Sequence, residues 1–527
     1  MFIVKKIRYK KMNLKNNPGN KSEIFSELDL KREKSHQINS YPEENTYKPK
    51  EKITSYKKKV YSAPTVINLE VTEACNVKCR HCYNPWRDTS AGKFNIDEKK
   101  FDYLLDEFIK NKVFHVIISG GEPLAKYDLS CYAVDKLHKN NISTSFNSNL
   151  MLATEEKMLK LKSLGLDHVL TSWFSSHEKE TDYITTYSGS HQKIIDGIKN
   201  TVKAGIRVSA NTIVTQNNKD TIYNSGKFLH SIGVSQFFAH RVIPPAYDRK
   251  DKNQEHHTTI NESKFSLDEL LRLKKDTGMK VGTLINYPLC MLGDLEKYKD
   301  FVGRGCPTQS GHRFSINSNG QSHGCVMEDK EYGNVYDVGL KQAYKNTMAW
   351  RNESYLYEGC KGCHYVDVCQ SGCRMHGMAA TGRMDQKDPL MPGKEFITKP
   401  YKIEKNVEIE EKVKTGAFLY VPKSIRFRYE KDEDFYLMNI RWGNTIEIST
   451  QEGKFFIDMQ KKNKKFSIYD CKFNNALLRL TGFVAKEALK SDQIDIEVRK
   501  TGVNIDPAKL PDLTDPEILS SHPDLEL

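Results

Sequence analysis

The chain has 527 residues, of which 38% are hydrophobic and 28% charged: too long for one ordinary core, and without an apolar run near the ~20 residues that span a bilayer. The net charge of +13 sits largely in residues 1–60, with 16 Lys and Arg against 7 Asp and Glu, so it marks a solvated, disordered arm rather than a nucleic-acid surface. The opening MFIVKKIRYKKMNLKNN lacks the apolar segment of a secretion signal, which leads us to expect a cytoplasmic protein, where twelve cysteines point to metal and not to disulfides.

Past the basic arm (1–60), VINLEV (Val66–Val71) reads as a short strand that runs straight into VTEACNVKCRHCYNPW, a loop with Cys75, Cys79 and Cys82 in CxxxCxxC spacing. NIDEKKFDYLLDEFIK follows as a helix, with Asn95 as N-cap and Phe101, Leu104, Leu105 and Phe108 on one face. Five more strands are expected at Val113–Gly120, Ser143–Asn149, His168–Phe174, Arg207–Thr215 and Ser235–Ile243, with helices between them. Six such units with short connections predict an α/β fold, a partial (β/α)6 TIM-like barrel over residues 61–285. Chemistry in such barrels gathers at the C-terminal ends of the strands, where both the cysteine loop and the turn GGEP (Gly120–Pro123) would lie.

A polar link (Pro244–Ser263) precedes a cysteine-dense region, 286–395, and a charged linker follows it. Residues 396–500 hold that linker and a small α+β, winged-helix-like C-terminal domain of three strands and two helices. Residues 501–527 form an acidic, Pro-rich tail. Cys131 lies inside an amphipathic helix and reads as a core residue.

A four-iron cluster ordinarily takes four thiolates, yet the first loop supplies three, leaving one iron for a small chelating molecule. A structural zinc loop is the alternative on spacing alone. The CxxxCxxC after the first strand, Tyr83 directly after Cys82, and GGEP closing the second strand together resemble the radical SAM enzymes. The resemblance implies that Cys75, Cys79 and Cys82 hold a 4Fe–4S cluster whose open iron binds S-adenosyl-L-methionine, the source of a 5′-deoxyadenosyl radical. It also implies cofactor contacts from Tyr83, Gly120, Gly121, Glu122 and Pro123, from Asn149 at the end of the third strand, and from Ser172, Asn211 and Ile213.

CPTQSGHRFSINSNGQSHGC and CKGCHYVDVCQSGC resemble the SPASM extension of that family, which carries auxiliary clusters. By that analogy the first auxiliary cluster takes Cys306, Cys325 and Cys373, with Cys290 as fourth ligand, and the second takes Cys360, Cys363 and Cys369. The family's further downstream cysteine is absent around Met391, so Asp385, Asp388, Cys471 or an empty corner would complete the second. A pair of zinc knuckles is the plain alternative for this block.

Enzymes of this kind mostly modify ribosomally made peptides, forming thioethers or other crosslinks, so the expected partners are a precursor peptide and a flavodoxin- or ferredoxin-type electron donor. Formylglycine formation is disfavoured, because the sulfatase-maturing branch has an aspartate where Val326 stands. The C-terminal domain would either capture a leader peptide by strand addition or pack on the barrel. The other readings are a small-molecule or cofactor-biosynthesis enzyme of the same family and a redox-sensing, DNA-binding regulator. No general base stands out; His177, Asp182 and Tyr187 are candidates by position alone.

Overall fold

The computed structural model describes residues 61–84, 98–244, 257–302, 305–399, 418–419, 421, 423–441, 444–464 and 466–467. The expected arm and tail, the cap Asn95, Cys471 and the second C-terminal helix lie outside the described residues.

Strands β1 (Val66–Glu70), β2 (His115–Ser119), β3 (Ser143–Ser148), β4 (His168–Ser172), β5 (Arg207–Val214) and β6 (Gln236–Arg241) pair side by side, all parallel and in chain order. Between them run α1 (Glu98–Lys110), α2 (Tyr127–Lys139), α3 (Glu155–Ser163), α4 (Glu178–Thr185), α5 (Ser190–Lys203) and α6 (Ile222–Ser231). Helix α1 forms because Phe101, Leu104, Leu105 and Phe108 recur at helical spacing and are all buried, while Lys110 complements the dipole in the last turn. Thr154 caps α3 by accepting from the Lys157 N–H at 3.3 Å. One helix was expected between the fourth and fifth strands, and there are two. Thr186 at φ +56° and Gly189 at φ +76° turn the chain sharply between α4 and α5.

The sheet also extends past six strands. After α7 (Ile260–Thr277), started by a Thr259–Glu262 capping box, β7 (Lys280–Gly282) adds beside β6. The short helix α8 (Leu289–Leu292) follows, and then β8 (Arg313–Ile316) pairs parallel to β1 on its other flank, with β9 (Ser322–His323) antiparallel to β8. The nine-strand order β7-β6-β5-β4-β3-β2-β1-β8-β9 leaves β7 and β9 as separate edges, so the barrel is partial. α9 (Val335–Asn346) packs against α1, where the Glu107 carboxylate accepts from the Leu340 N–H at 3.0 Å just after the break at Gly339.

Alternation sorts the faces. On β5, Val208, Ala210 and Val214 join the main core, while Arg207, Ser209, Asn211 and Ile213 face the barrel interior. The interior at the N-terminal end of the strands is polar. The His115 ring bonds the Ser143 and Ser145 hydroxyls at 2.8 and 2.9 Å, and His168 bonds Ser209 at 2.9 Å.

The C-terminal domain has β10 (Phe418–Leu419) paired with β14 (Phe466–Ser467). Its main sheet is antiparallel, of β11 (Arg426–Glu430), β12 (Phe435–Arg441) and β13 (Asn444–Ser449), followed by α10 (Thr450–Lys462). Its own core gathers Val421, Ile425, Met438, Ile448, Phe456, Met459 and Phe466. It packs on the chain just before β1. The buried Arg428 donates to the Ala63 and Pro64 carbonyls at 2.6 and 2.9 Å and to Glu430 at 2.7 Å, while Glu430 accepts from the Ser62 N–H at 2.6 Å.

Candidate active site

The cysteine loop begins where β1 ends. Cys75 is exposed and Cys79 and Cys82 are half-buried. Parallel pairing carries on past the strands: Val71 N–H donates to Ser119 O at 3.0 Å, Gly121 N–H to Thr72 O at 2.7 Å and Glu122 N–H to Ala74 O at 2.9 Å. Gly120 has φ +133°, and a Cβ there would lie 2.3 Å from the Thr72 carbonyl oxygen; one on Gly121 would lie 2.3 Å from that of Ala74. The two glycines are therefore what lets the cysteine loop lie so close against the GGEP turn. The space their side chains would take is filled by this loop.

Glu122 is fully buried, and both carboxylate oxygens are engaged: Oε1 accepts from the Ser148 hydroxyl at 2.7 Å and the Leu124 N–H at 3.0 Å, Oε2 from the Asn149 N–H at 2.8 Å. Burial raises its pKa, against the pull of these donors. It acts as a strut between β2 and β3. Pro123, also buried, opens the helical turn that follows. Asn149 reaches the loop itself, its Nδ2 donating to Asn76 Oδ1 at 2.8 Å.

The loop's other flank is braced by α4. Lys78 N–H donates to Thr185 O at 3.2 Å, Arg80 N–H to Ile184 O at 2.9 Å, and the Arg80 guanidinium stacks 4.1 Å over the Tyr183 ring. Tyr83 is half-buried; desolvation, then the nearby Glu70 carboxylate and the Cys82 and Cys325 thiols, hold its hydroxyl well above tyrosine's usual pKa.

Across the mouth, Ser172 is exposed at the end of β4, in register with Asn211 on β5; Ile213 is half-buried two residues further along the same face. The buried Asn211 Oδ1 has no hydrogen-bond partner among the described residues. An unsatisfied amide oxygen is costly, so this position suits a polar ligand that supplies a donor. The positional base candidates have structural duties: Asp182 accepts from Gly189 N–H and the Ser190 hydroxyl at 2.6 and 2.7 Å, and Tyr187 OH accepts from Lys193 Nζ at 2.6 Å. His177 precedes α4 as its N-cap residue.

The later cysteines fall into two groups. Cys306, Cys325 and Cys373 pack with Trp350, Tyr332 and Met375. Beside them Glu328 accepts from Gly324 N–H at 2.9 Å, Tyr332 OH at 2.8 Å and Trp350 Nε1 at 3.0 Å, and burial pushes its carboxyl up to about 7. Cys360 and Cys363 pack with Leu356 and Val366. Cys360 lies against Met391, Sγ to Sδ 3.5 Å. Desolvation pushes the Cys369 thiol up to about 11.

Cys290 was expected with Cys306, Cys325 and Cys373. It lies on α8, where the preceding Leu289 N–H donates to Cys369 Sγ at 3.4 Å. Fifteen residues lie between Cys290 and Cys306, and spacing alone carried no information about which way α8 turns. The carboxylates considered as ligands are engaged too. Asp385 pairs with Arg383 at 2.6 Å. Asp388, fully buried, accepts from Arg241 Nη2 at 2.6 Å, Cys373 N–H at 2.8 Å and Leu390 N–H at 3.0 Å. Although burial alone would raise it, the Arg241 guanidinium holds this carboxyl well below the ordinary range. The pair anchors the second cysteine region to the end of β6, a tie the sequence did not signal. Among the described residues no three His, Cys, Asp or Glu side chains converge on one metal ion. Four thiolates around a single zinc stand only about 3.8 Å apart, whereas the corners of an iron–sulfur cube spread their ligands further.

Residues 69–229 match the family described as the Radical SAM superfamily. The chain is 25% identical over 374 residues to the PqqA peptide cyclase of Bradyrhizobium diazoefficiens, spanning 68% of this chain and 93% of that protein. It is 24% identical over 360 residues to the AdoMet-dependent heme synthase of Methanosarcina barkeri, spanning 63% and 98%. The solved structure of native anSMEcpe with bound AdoMet superposes with a TM-score of 0.52 at 16% identity, covering 63% of this chain and 96% of that one. These likenesses agree with the partial-barrel fold. No helix among the described residues is long and apolar enough to cross a membrane.

Proposed function

The chain is a radical SAM enzyme, and from that premise we propose that it modifies a ribosomally made precursor peptide, forming a thioether or other crosslink. Cys75, Cys79 and Cys82 hold a 4Fe–4S cluster in this reading, and its open iron takes S-adenosylmethionine. When bound and given one electron, that pair would supply, with methionine as the leaving group of the broken C–S bond, a 5′-deoxyadenosyl radical to remove a hydrogen atom from the substrate. The observation that carries the reading is the three-thiol loop tied by backbone bonds beside GGEP, at the end of the barrel where Asn211 Oδ1 awaits a donor.

The chain's own residues bind and orient. Thr72 and Ala74 fix the entry to the cysteine loop against Gly121 and Glu122, and Asn149 and Arg80 hold its two flanks. Ser172, Asn211 and Ile213 line the mouth for the nucleoside, with Asn211 Oδ1 accepting from an amino or hydroxyl donor. The later cysteines hold two auxiliary clusters that pass electrons, and the external donor is a flavodoxin or ferredoxin of the reducing cytoplasm.

The likeness to a peptide cyclase supports the peptide substrate. The comparable likeness to an AdoMet-dependent heme synthase supports the second reading, a small-molecule substrate. The test is anaerobic reconstitution with iron and sulfide, reduction in the presence of S-adenosylmethionine, and assay of 5′-deoxyadenosine. Mass spectrometry of short peptides encoded beside this gene then reads the modification. Absence of deoxyadenosine from the iron-loaded chain rejects the chemistry. Deoxyadenosine with no change in any such peptide rejects the peptide substrate and leaves the second reading.

A further inference from the structure

We propose that Cys290 is the fourth thiolate of the cluster held by Cys360, Cys363 and Cys369, leaving Cys306, Cys325 and Cys373 as a separate trio. The inference rests on the reading that the later cysteines carry auxiliary clusters.

Two independent bonds press the segment before Cys290 against Cys369. The Asn286 side-chain amide donates to the Cys369 carbonyl at 3.2 Å, and the Leu289 N–H donates to its sulfur at 3.4 Å. Cys290 is the next residue, 9% exposed, at the start of a one-turn helix. The Gly393 backbone N–H reaches the Cys290 sulfur, and Met391, two residues earlier, lies against the Cys360 sulfur at 3.5 Å. Cys369, Cys360 and the 391–393 turn thus surround the spot that Cys290 enters. The trio packs instead around Trp350 and Met375, a cluster in which Cys290 has no part.

Elimination points the same way. Three thiolates leave one corner of a cube to fill. Met391 offers a thioether, a poor substitute. Asp388 is committed to Arg241, Cys373 and Leu390, and Asp385 to Arg383. Cys290 is the neighbouring donor with thiolate chemistry.

The test uses the full chain carrying Cys75→Ala, Cys79→Ala and Cys82→Ala, so that the retained iron belongs to the later cysteines, about eight atoms for two cubes. In this background we compare Cys290→Ser added to Cys306→Ala/Cys325→Ala and to Cys360→Ala/Cys363→Ala, reading iron content and the electron paramagnetic resonance of the reduced protein. The expected result is that Cys290→Ser strips iron from, or shifts the spectrum of, the cluster that survives loss of Cys306 and Cys325, and leaves the other unchanged. The reverse pattern overturns the proposal. A rescue guards against simple misfolding: Met391→Cys places a thiol beside Cys360 and should restore the iron and spectrum lost in Cys290→Ser. Failure of the rescue in a chain that keeps the trio's cluster also overturns it. If the starting background retains no iron while the unmutated chain still forms deoxyadenosine, this inference falls and the radical SAM reading stands.

Discussion

The two ends of the barrel are built on opposite terms. At the C-terminal end, the cysteine loop is exposed at Cys75 and tied in place by backbone bonds, one side-chain amide and one stacked guanidinium, with a buried amide oxygen nearby that has no partner among the described residues. At the N-terminal end, His115 and His168 are satisfied by serines on neighbouring strands, and the buried Arg428 joins the C-terminal domain to the residues leading into β1. At one end a buried amide oxygen is left for a ligand, and at the other these histidines and Arg428 find their partners within the fold. Substitutions at the first should therefore cost activity with little stability, and at the second stability with little chemistry.

The largest break in that contrast comes from the loop. Replacing Cys75, Cys79 or Cys82 by Ala should drop deoxyadenosine formation to the uncatalysed background, while thermal unfolding of the metal-free chain barely moves. A large fall in unfolding temperature would show that the loop also carries the fold.

At the other end, Arg428→Met strands Glu430 in a buried site, 2% exposed, and should cost about 3–5 kcal/mol in denaturant unfolding. The surviving folded fraction should cleave S-adenosylmethionine at the normal rate. Loss of cleavage per folded molecule would mean that the two ends are coupled.

The pH dependence of stability sharpens the same point. Burial, with help from the Arg426, Arg313 and Arg207 guanidiniums, lowers the His115 pKa to about 3. The unfolded chain therefore takes up this proton first. Stability from His115 is whole above the unfolded value of about 6.5 and declines as the pH drops toward 3, a loss of about 2 kcal/mol by pH 5. Unfolding free energies at pH 7 and pH 5 should show this loss, and His115→Gln should flatten it. An unchanged slope in the variant would mean that the ring is already accessible to protons in the folded state.

The smallest effect is expected at Asn149→Ala, which removes the bond to Asn76 and should cost about 1 kcal/mol. The readout is a few-fold rise in KM for S-adenosylmethionine at unchanged iron content. Lost iron would instead make Asn149 a prop for the metal site.

Six strands were legible because each is a short apolar or alternating run followed by an amphipathic helix, as with Phe101, Leu104, Leu105 and Phe108 on α1. β7 and β8 were not, being three and four residues long inside segments rich in Gly, Pro and Asn. The CxxxCxxC loop was legible as a motif because its three cysteines come from one stretch of chain. The company of Cys290 did not, since it depends on where α8 docks. Nor did the duties of Glu122 and Asp388, whose partners come from distant strands and turns.

The position of β8 bears on any attempt to shorten this protein. β1, which delivers the cysteine loop, is flanked by β2 on one side and by β8 from the later half on the other. A fragment stopped at residue 285 would bare that flank as a ladder of unmet amides and carbonyls, inviting one copy to zip onto the next. Excising the catalytic half should yield aggregates unless a surrogate strand is supplied.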